Sequence, residues 1–169
     1  EEITGKKPYE IARRGVGRTY QIIRIFPKMT LLENLIVVGK GTERTTAERA
    51  LELLRLVKLD EKREDYASDL SFGQQKLLSL AQVLMLDPQL ILLDEPAAGI
   101  NPTLQNELMG LIHRLNEQGK TFIIVEHDMN VIMNHCQNAI ALNYGQKIAE
   151  GSCSLIQKDE RLLEHYFGR

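Results

Sequence analysis

Cysteine is scarce. Only Cys136 and Cys153 occur in 169 residues, without CxxC spacing, which excludes a disulfide-stapled secreted domain and points to a reducing compartment. Also missing is a long hydrophobic run. The longest stretch free of Asp, Glu, Lys and Arg runs from Met129 to Gln146 and is broken by Asn, Gln and a His, whereas a spanning helix needs about 20 mostly apolar residues. The first residues, Glu1 to Lys7, have no apolar core and so do not read as a secretory signal. Nor is there a surplus of one charge. The 21 Lys plus Arg stand against 23 Asp plus Glu, a net charge of −2, where a nucleic-acid-binding domain would show a basic excess. What is present is a globular composition, 43% hydrophobic and 26% charged, at a length suited to one domain.

The C-terminal half alternates strand and helix signals. Leu90 to Leu93 is a continuous apolar run ending at Asp94, which predicts a strand buried on both faces. Between Thr103 and Gln118 the apolar positions Leu104, Leu108, Leu111, Ile112 and Leu115 recur at helical spacing, and Gly119 supplies a stop. Phe122 to Val125 predicts a second buried strand. Two strands joined through a helix form a βαβ unit with parallel strands. Weaker strand signals follow at 139–142 and 146–149, with Gly145 as the turn.

The N-terminal half is different. Residues 31–38 and 47–57 have helical periodicity, the second with Leu51, Leu54 and Val57 or Lys58 on one face. A third helix is expected from Gly73 to Leu86, halted by Asp87 and Pro88. The expected organisation is therefore a single domain over 1–169. Residues 1–27 (with a strand near Val16 to Tyr20) and 88–169 form an α/β core, and 28–87 form a mostly helical insertion.

Four segments carry chemistry. Ser71, Phe72, Gly73, Gln74 and Gln75 open the third helix; a Ser and a Gly there offer a hydroxyl and backbone N–H groups where the helix dipole favours an anion, and equally make an ordinary N-cap. The strand from Leu90 delivers two adjacent carboxylates, Asp94 and Glu95, at its C-terminal end, the edge where parallel α/β sheets bind ligands. Asp94 suits Mg²⁺, and Glu95 suits the polarisation of a water. His127 follows the second buried strand, and Gln21 follows the expected strand that ends at Tyr20. A metal site from His127, Asp128 and His135 is set aside on spacing, and His113 and His165 read as surface positions.

Together and in this order, these pieces resemble the nucleotide-binding domain of ATP-binding cassette (ABC) proteins. Ser71-Phe72-Gly73-Gln74-Gln75 looks like the signature motif, with Phe72 where Gly is commoner. Leu90 to Glu95 looks like the Walker B strand with its catalytic glutamate. Pro96 to Pro102, with Asn101 where many members have Asp, resembles the loop that communicates across the dimer. His127 resembles the switch histidine and Gln21 the glutamine linking site to transporter. The resemblance implies a P-loop NTPase-like parallel sheet with a helical signature-motif insertion. It also implies two ABC ATPase subunits, identical or paralogous, that sandwich ATP head to tail. Ser71, Phe72, Gly73 and Gln74 would then contact the ATP held by the partner. Asp94 and Gln21 would serve Mg²⁺, Glu95 the attacking water, and His127 the γ-phosphate. Asn101 would lie at the nucleotide interface.

A narrower resemblance rests on Ile11-Ala12-Arg13-Arg14-Gly15, Arg18-Thr19-Tyr20-Gln21, Phe26 to Asn34, Ala97 to Pro102 and the ending Tyr166-Phe167-Gly168. These are similar to the ATPases of branched-chain amino acid importers. Importers of urea or short amides share much of the pattern. The implied partners are membrane permease subunits docking on the apolar loop Ile22 to Met29, at the cytoplasmic face of a bacterial or archaeal membrane, with no nucleic acid. Competing readings are a soluble ABC ATPase of DNA repair or ribosomes, which usually carries long coiled-coil or basic insertions absent here, and a non-catalytic partner subunit. Lys76 and Gln82 stand where the family often has Arg, which predicts weaker contacts around the signature helix.

One expected piece is missing. No G-x-x-x-x-G-K-[ST] occurs; Gly119-Lys120-Thr121 has Arg114 at the first-glycine position and is expected to leave a helix rather than open one. By resemblance, the chain lacks about the first quarter of its domain, which predicts exposed apolar sheet surface and no ATPase activity from this chain alone.

Overall fold

The computed structural model describes residues 2–157; His165 and Tyr166-Phe167-Gly168 lie outside them. Two units divide between Val125 and Glu126. In the first, Val16–Arg18 (β1), Leu90–Asp94 (β2) and Thr121–Val125 (β3) form a parallel sheet in the order β1-β2-β3. The register pairs Asp94 with Val125, so the C-terminal ends of β2 and β3 come level. The helix Pro8–Arg13 precedes β1, and we label it α1.

Between β1 and β2 the chain forms three helices: Leu31–Ile36 (α2), Glu43–Leu56 (α3) and Phe72–Leu84 (α4), with short 3₁₀ turns at Asp60–Lys62 and Ala67–Asp69. Local chemistry sets their starts. The Thr30 hydroxyl accepts from the Glu33 N–H at 3.1 Å while the Glu33 carboxylate accepts from the Thr30 N–H at 2.8 Å, a reciprocal capping box. Thr42 caps α3 and Ser71 caps α4. Leu31, Leu35, Leu53, Leu54 and Leu78 are buried. The buried face of α3 holds Leu54 and, just past the helix, Val57 as expected, and adds Thr46, Ala50 and Leu53; Leu51 is only half-buried and Lys58 is exposed. Capping at Thr42 starts α3 earlier than the apolar spacing suggested, so Thr46 joins its buried face.

The helix Pro102–Glu117 (α5) joins β2 to the parallel β3, completing the expected βαβ unit. Asn101 caps it, Oδ1 accepting from the Leu104 N–H at 2.9 Å. Gly119, at φ +93°, turns the chain out of α5 and into β3. The expectation that β3 is buried on both faces does not hold. Ile123 is 51% and Val125 59% exposed, while Phe122 and Ile124 between them are half-buried. Among the described residues β3 is an edge strand, and one of its faces has no covering element.

The second unit holds Met129–His135 (α6), Asn138–Asn143 (β4), Gln146–Ser152 (β5) and Cys153–Ile156 (α7). β4 and β5 pair antiparallel, with Asn143 opposite Gln146. Tyr144 and Gly145 between them both have positive φ, +45° and +76°, which is the two-residue turn whose twist matches a hairpin. Cys136 and Cys153 are free thiols in this unit. No helix among the described residues is long and apolar enough to cross a membrane.

Candidate functional site

The C-terminal end of β2 gathers the site of the first unit. The chain leaves Asp94 into Glu95, whose φ is +46°. A non-glycine residue there costs about 1–3 kcal/mol and persists only where its surroundings fix it. The Glu95 N–H is fixed on the Val125 carbonyl at 2.9 Å, which continues the β2–β3 pairing one residue past the strand.

The end of β1 and the segment after it supply partners to both carboxylates. The Thr19 N–H donates to the Leu92 carbonyl at 2.9 Å, keeping this segment alongside β2. The Arg18 guanidinium donates to Asp94 Oδ2 at 3.2 Å, and the Thr19 hydroxyl accepts from the Asp94 N–H at 3.3 Å. Gln21 Nε2 donates to Glu95 Oε2 at 3.1 Å. Two guanidinium groups lie over the Tyr20 ring, Arg18 at 5.1 Å and Arg24 at 4.9 Å from its centroid. The structure therefore brings Gln21, Asp94 and Glu95 together. Asp94 and the Gln21 amide offer hard oxygen donors, the kind Mg²⁺ takes singly or in pairs while keeping waters or phosphate oxygens in its remaining positions. Among the described residues no three His, Cys, Asp or Glu side chains converge to hold a metal by themselves.

Ser71, Phe72, Gly73 and Gln74 form the first turn of α4. Ser71 Oγ accepts from the Gln74 N–H at 3.4 Å, and Gln74 Oε1 accepts from the Ser71 N–H at 3.0 Å. Phe72 is 51% exposed. Gly73 is buried, and a Cβ there would come within 2.2 Å of Leu104 Cδ2 and 3.2 Å of Ile100 Cγ2; a glycine lets α4 approach α5 closely. His127 belongs to the second unit, where its ring is 71% exposed and its Nδ1 lies 3.9 Å from the Glu126 carboxylate.

Lys76 and Gln82, where weaker contacts than an arginine's were expected, both make hydrogen bonds. Lys76 Nζ donates to the carbonyl oxygens of Glu95, Pro96 and Ala98. Gln82 is buried, and its Nε2 donates to the Asn34 carbonyl at 3.2 Å and to Asn34 Oδ1 at 3.3 Å. Arg18 is the functional neighbour that spacing did not single out. Its only sequence signal is a cation three residues before Gln21, on the strand that turns out to pair with the carboxylate-bearing one.

Gly119-Lys120-Thr121 leaves α5 and enters β3, the reverse of a phosphate-binding loop. Lys120 instead donates to Asp87 at 2.6 Å, and that hydrogen bond holds the Asp87 carboxyl below its ordinary value. Burial pushes both thiols up, Cys136 and Cys153, which disfavours thiolate chemistry at either.

Comparison with known proteins agrees with this geometry. Residues 1–98 match the ABC transporter family. The chain is 34% identical over 187 residues to the high-affinity branched-chain amino acid transport ATP-binding protein BraF of Pseudomonas aeruginosa, covering 99% of this chain and 73% of that protein. It is 32% identical, at the same coverage, to the corresponding protein LivG of Escherichia coli. A solved ATP-binding cassette of an ABC transporter superposes with a TM-score of 0.89 at 30% identity, over 98% of this chain and 74% of that one. With a parallel β2 ending in paired carboxylates, a helix opened by Ser71, and these similarities along its length, the chain belongs to the ABC transporter family, as an ATP-binding domain related to those of branched-chain amino acid importers.

Proposed function

We propose that this chain is the energy-coupling ATPase part of an importer for branched-chain amino acids, working at the cytoplasmic face of the membrane. The observation that carries the reading is the pair of carboxylates at the end of β2, each engaged from the end of β1 or the segment after it: Arg18 on Asp94 and Gln21 on Glu95. The cargo is supported by the likeness to BraF and LivG; urea and short amides are the nearest alternatives.

In this reading Glu95 accepts a hydrogen bond from the attacking water and orients it toward the γ-phosphate. Assistance of this type is worth about 10²–10⁴ in rate. Asp94 and the Gln21 carbonyl would hold Mg²⁺, which would supply positive charge to the phosphate oxygens. Ser71, Phe72, Gly73 and Gln74 turn a helix N-terminus toward the nucleotide of a second ABC subunit, where preorganised dipoles act on developing charge. Asn101 faces the same interface, and His127 contacts the γ-phosphate. The loop Ile22 to Met29 docks the membrane permease, a role supported by Ile22 at 78% and Phe26 at 44% exposure. Apolar side chains left in solvent mark candidate interfaces.

The test is Glu95→Gln in the natural subunit assembled with its partners. We expect steady-state ATP hydrolysis to fall by about 10²-fold or more, with nucleotide affinity retained. An unchanged rate removes Glu95 from this role. Transport assays of reconstituted vesicles with leucine, urea and acetamide decide the cargo.

A further inference from the structure

Lys76 stands four residues after Phe72, one turn into α4. Its ammonium donates to the carbonyl oxygens of Glu95 at 2.7 Å, Pro96 at 3.1 Å and Ala98 at 2.6 Å. Three carbonyl dipoles thus converge on one cation, matching the three donors of a lysine. The loop they belong to is conformationally demanding. It begins at Glu95 with φ +46° and reaches Gly99 at φ +72°. The same helical turn grips the far end of this loop: Lys76 Nζ lies 5.4 Å from the Phe72 ring, and a Cβ on Gly99 would fall 3.0 Å from Phe72 Cε1. The Phe72 ring is therefore seated against a glycine, at the position where the family more often has glycine itself.

We propose that Lys76 is a positioning residue for Glu95. It holds the backbone of residues 95–98 so that the Glu95 carboxylate is delivered at the right place, and it ties that place to the first turn of α4. Hydrogen bonds from a charged donor are about twice as strong as neutral ones, enough to keep a non-glycine residue in the left-handed region where a neutral side chain would let it relax. A shift of the Ser71–Gln74 turn then moves Glu95 through the ammonium. The inference rests on the reading of Glu95 as the residue that orients water.

The experiment measures ATP hydrolysis by the natural subunit with its partners, comparing wild type, Lys76→Met, Lys76→Gln and Lys76→Arg, each also on a Glu95→Gln background. Misplacing a reacting group by about 1 Å costs about 100-fold, so we expect Lys76→Met to lower kcat by about 10- to 100-fold. KM for ATP should stay within about twofold, the pattern of a lost transition-state interaction. Lys76→Arg, which keeps the charge, should recover most of the rate. On the Glu95→Gln background Lys76→Met should add nothing to the single-turnover loss, because the two residues act as one unit. If Lys76→Met does not fold, Lys76→Gln is read by the same criteria. The inference is overturned if kcat is unchanged, if KM rises in step with the loss, if Lys76→Arg is as slow as Lys76→Met, or if the loss is equally large without Glu95. A wild type that hydrolyses ATP and is stopped by Glu95→Gln, but is indifferent to Lys76, sinks this inference alone. A wild type that hydrolyses no ATP sinks it together with the proposed function.

Discussion

Asn34 is fully buried in α2 beside the buried Leu31 and Leu35, and its amide is used at both ends. Nδ2 donates to the carbonyls of Phe26, Met29 and Thr30, and Oδ1 accepts from the Phe26 N–H at 2.8 Å and from Gln82. One side chain thus ties the apolar loop before α2 to both α2 and α4. Removing it strands the Phe26 N–H, which costs about 1–3 kcal/mol when buried without a partner, and deletes a donor shared by three carbonyls that keep their backbone partners. We expect Asn34→Ala to lower stability by about 2–4 kcal/mol, read as a lower urea midpoint at unchanged slope; a loss under about 1 kcal/mol would show that water replaces the amide. Nothing in the spacing of apolar residues marks Asn34 as structural, because a period records which positions face inward and says nothing of what a polar one meets there.

At the level of elements, the close seating of β1 against the end of α4 depends on Gly17. A Cβ there would lie 2.5 Å from Val83 Cγ1 and 3.0 Å from Pro88 Cγ. A stiff branched side chain and a ring cannot swing aside, so Gly17→Ala must push the strand away from the helix. The expected cost is about 1–3 kcal/mol, measured by denaturant unfolding; an unchanged midpoint would mean that β1 is free to shift. The strand matters beyond packing, because it leads into Arg18 and Gln21, which hold Asp94 and Glu95. The elements themselves were largely legible. α2, α4, β2, α5 and β3 lie where periodicity and stop signals set them, since buried apolar faces and caps are local properties of the chain. The exposed face of β3 was not, because whether an apolar strand is covered depends on what packs on it.

For the whole molecule, the sequence contains no G-x-x-x-x-G-K-[ST], and the single near-match turns from a helix into a strand. The chain spans about 73% of the length of the relatives compared with it. We expect the 169-residue chain purified by itself to release no phosphate from ATP, since a P-loop lysine and its amide cradle hold the β- and γ-phosphates. Turnover by that chain that disappears on Glu95→Gln would contradict this.

By itself the sequence determined the α/β class, the order of strands and helices, and the resemblance that links Gln21, Ser71–Gln74, Asp94, Glu95 and His127, because motif identity and apolar period are written in residue types and their spacing. Scarce cysteine, balanced charge and the absence of a long apolar run set the outer bounds. Tertiary structure alone decided which side chains meet. Arg18 reaches Asp94 across 76 positions and Gln21 reaches Glu95 across 74 only because β1 pairs in parallel with β2. Lys76 reaches the Glu95 loop only because α4 is seated beside the end of that strand. Contacts between residues so distant in sequence follow from strand register and helix placement, which no local pattern of residues specifies.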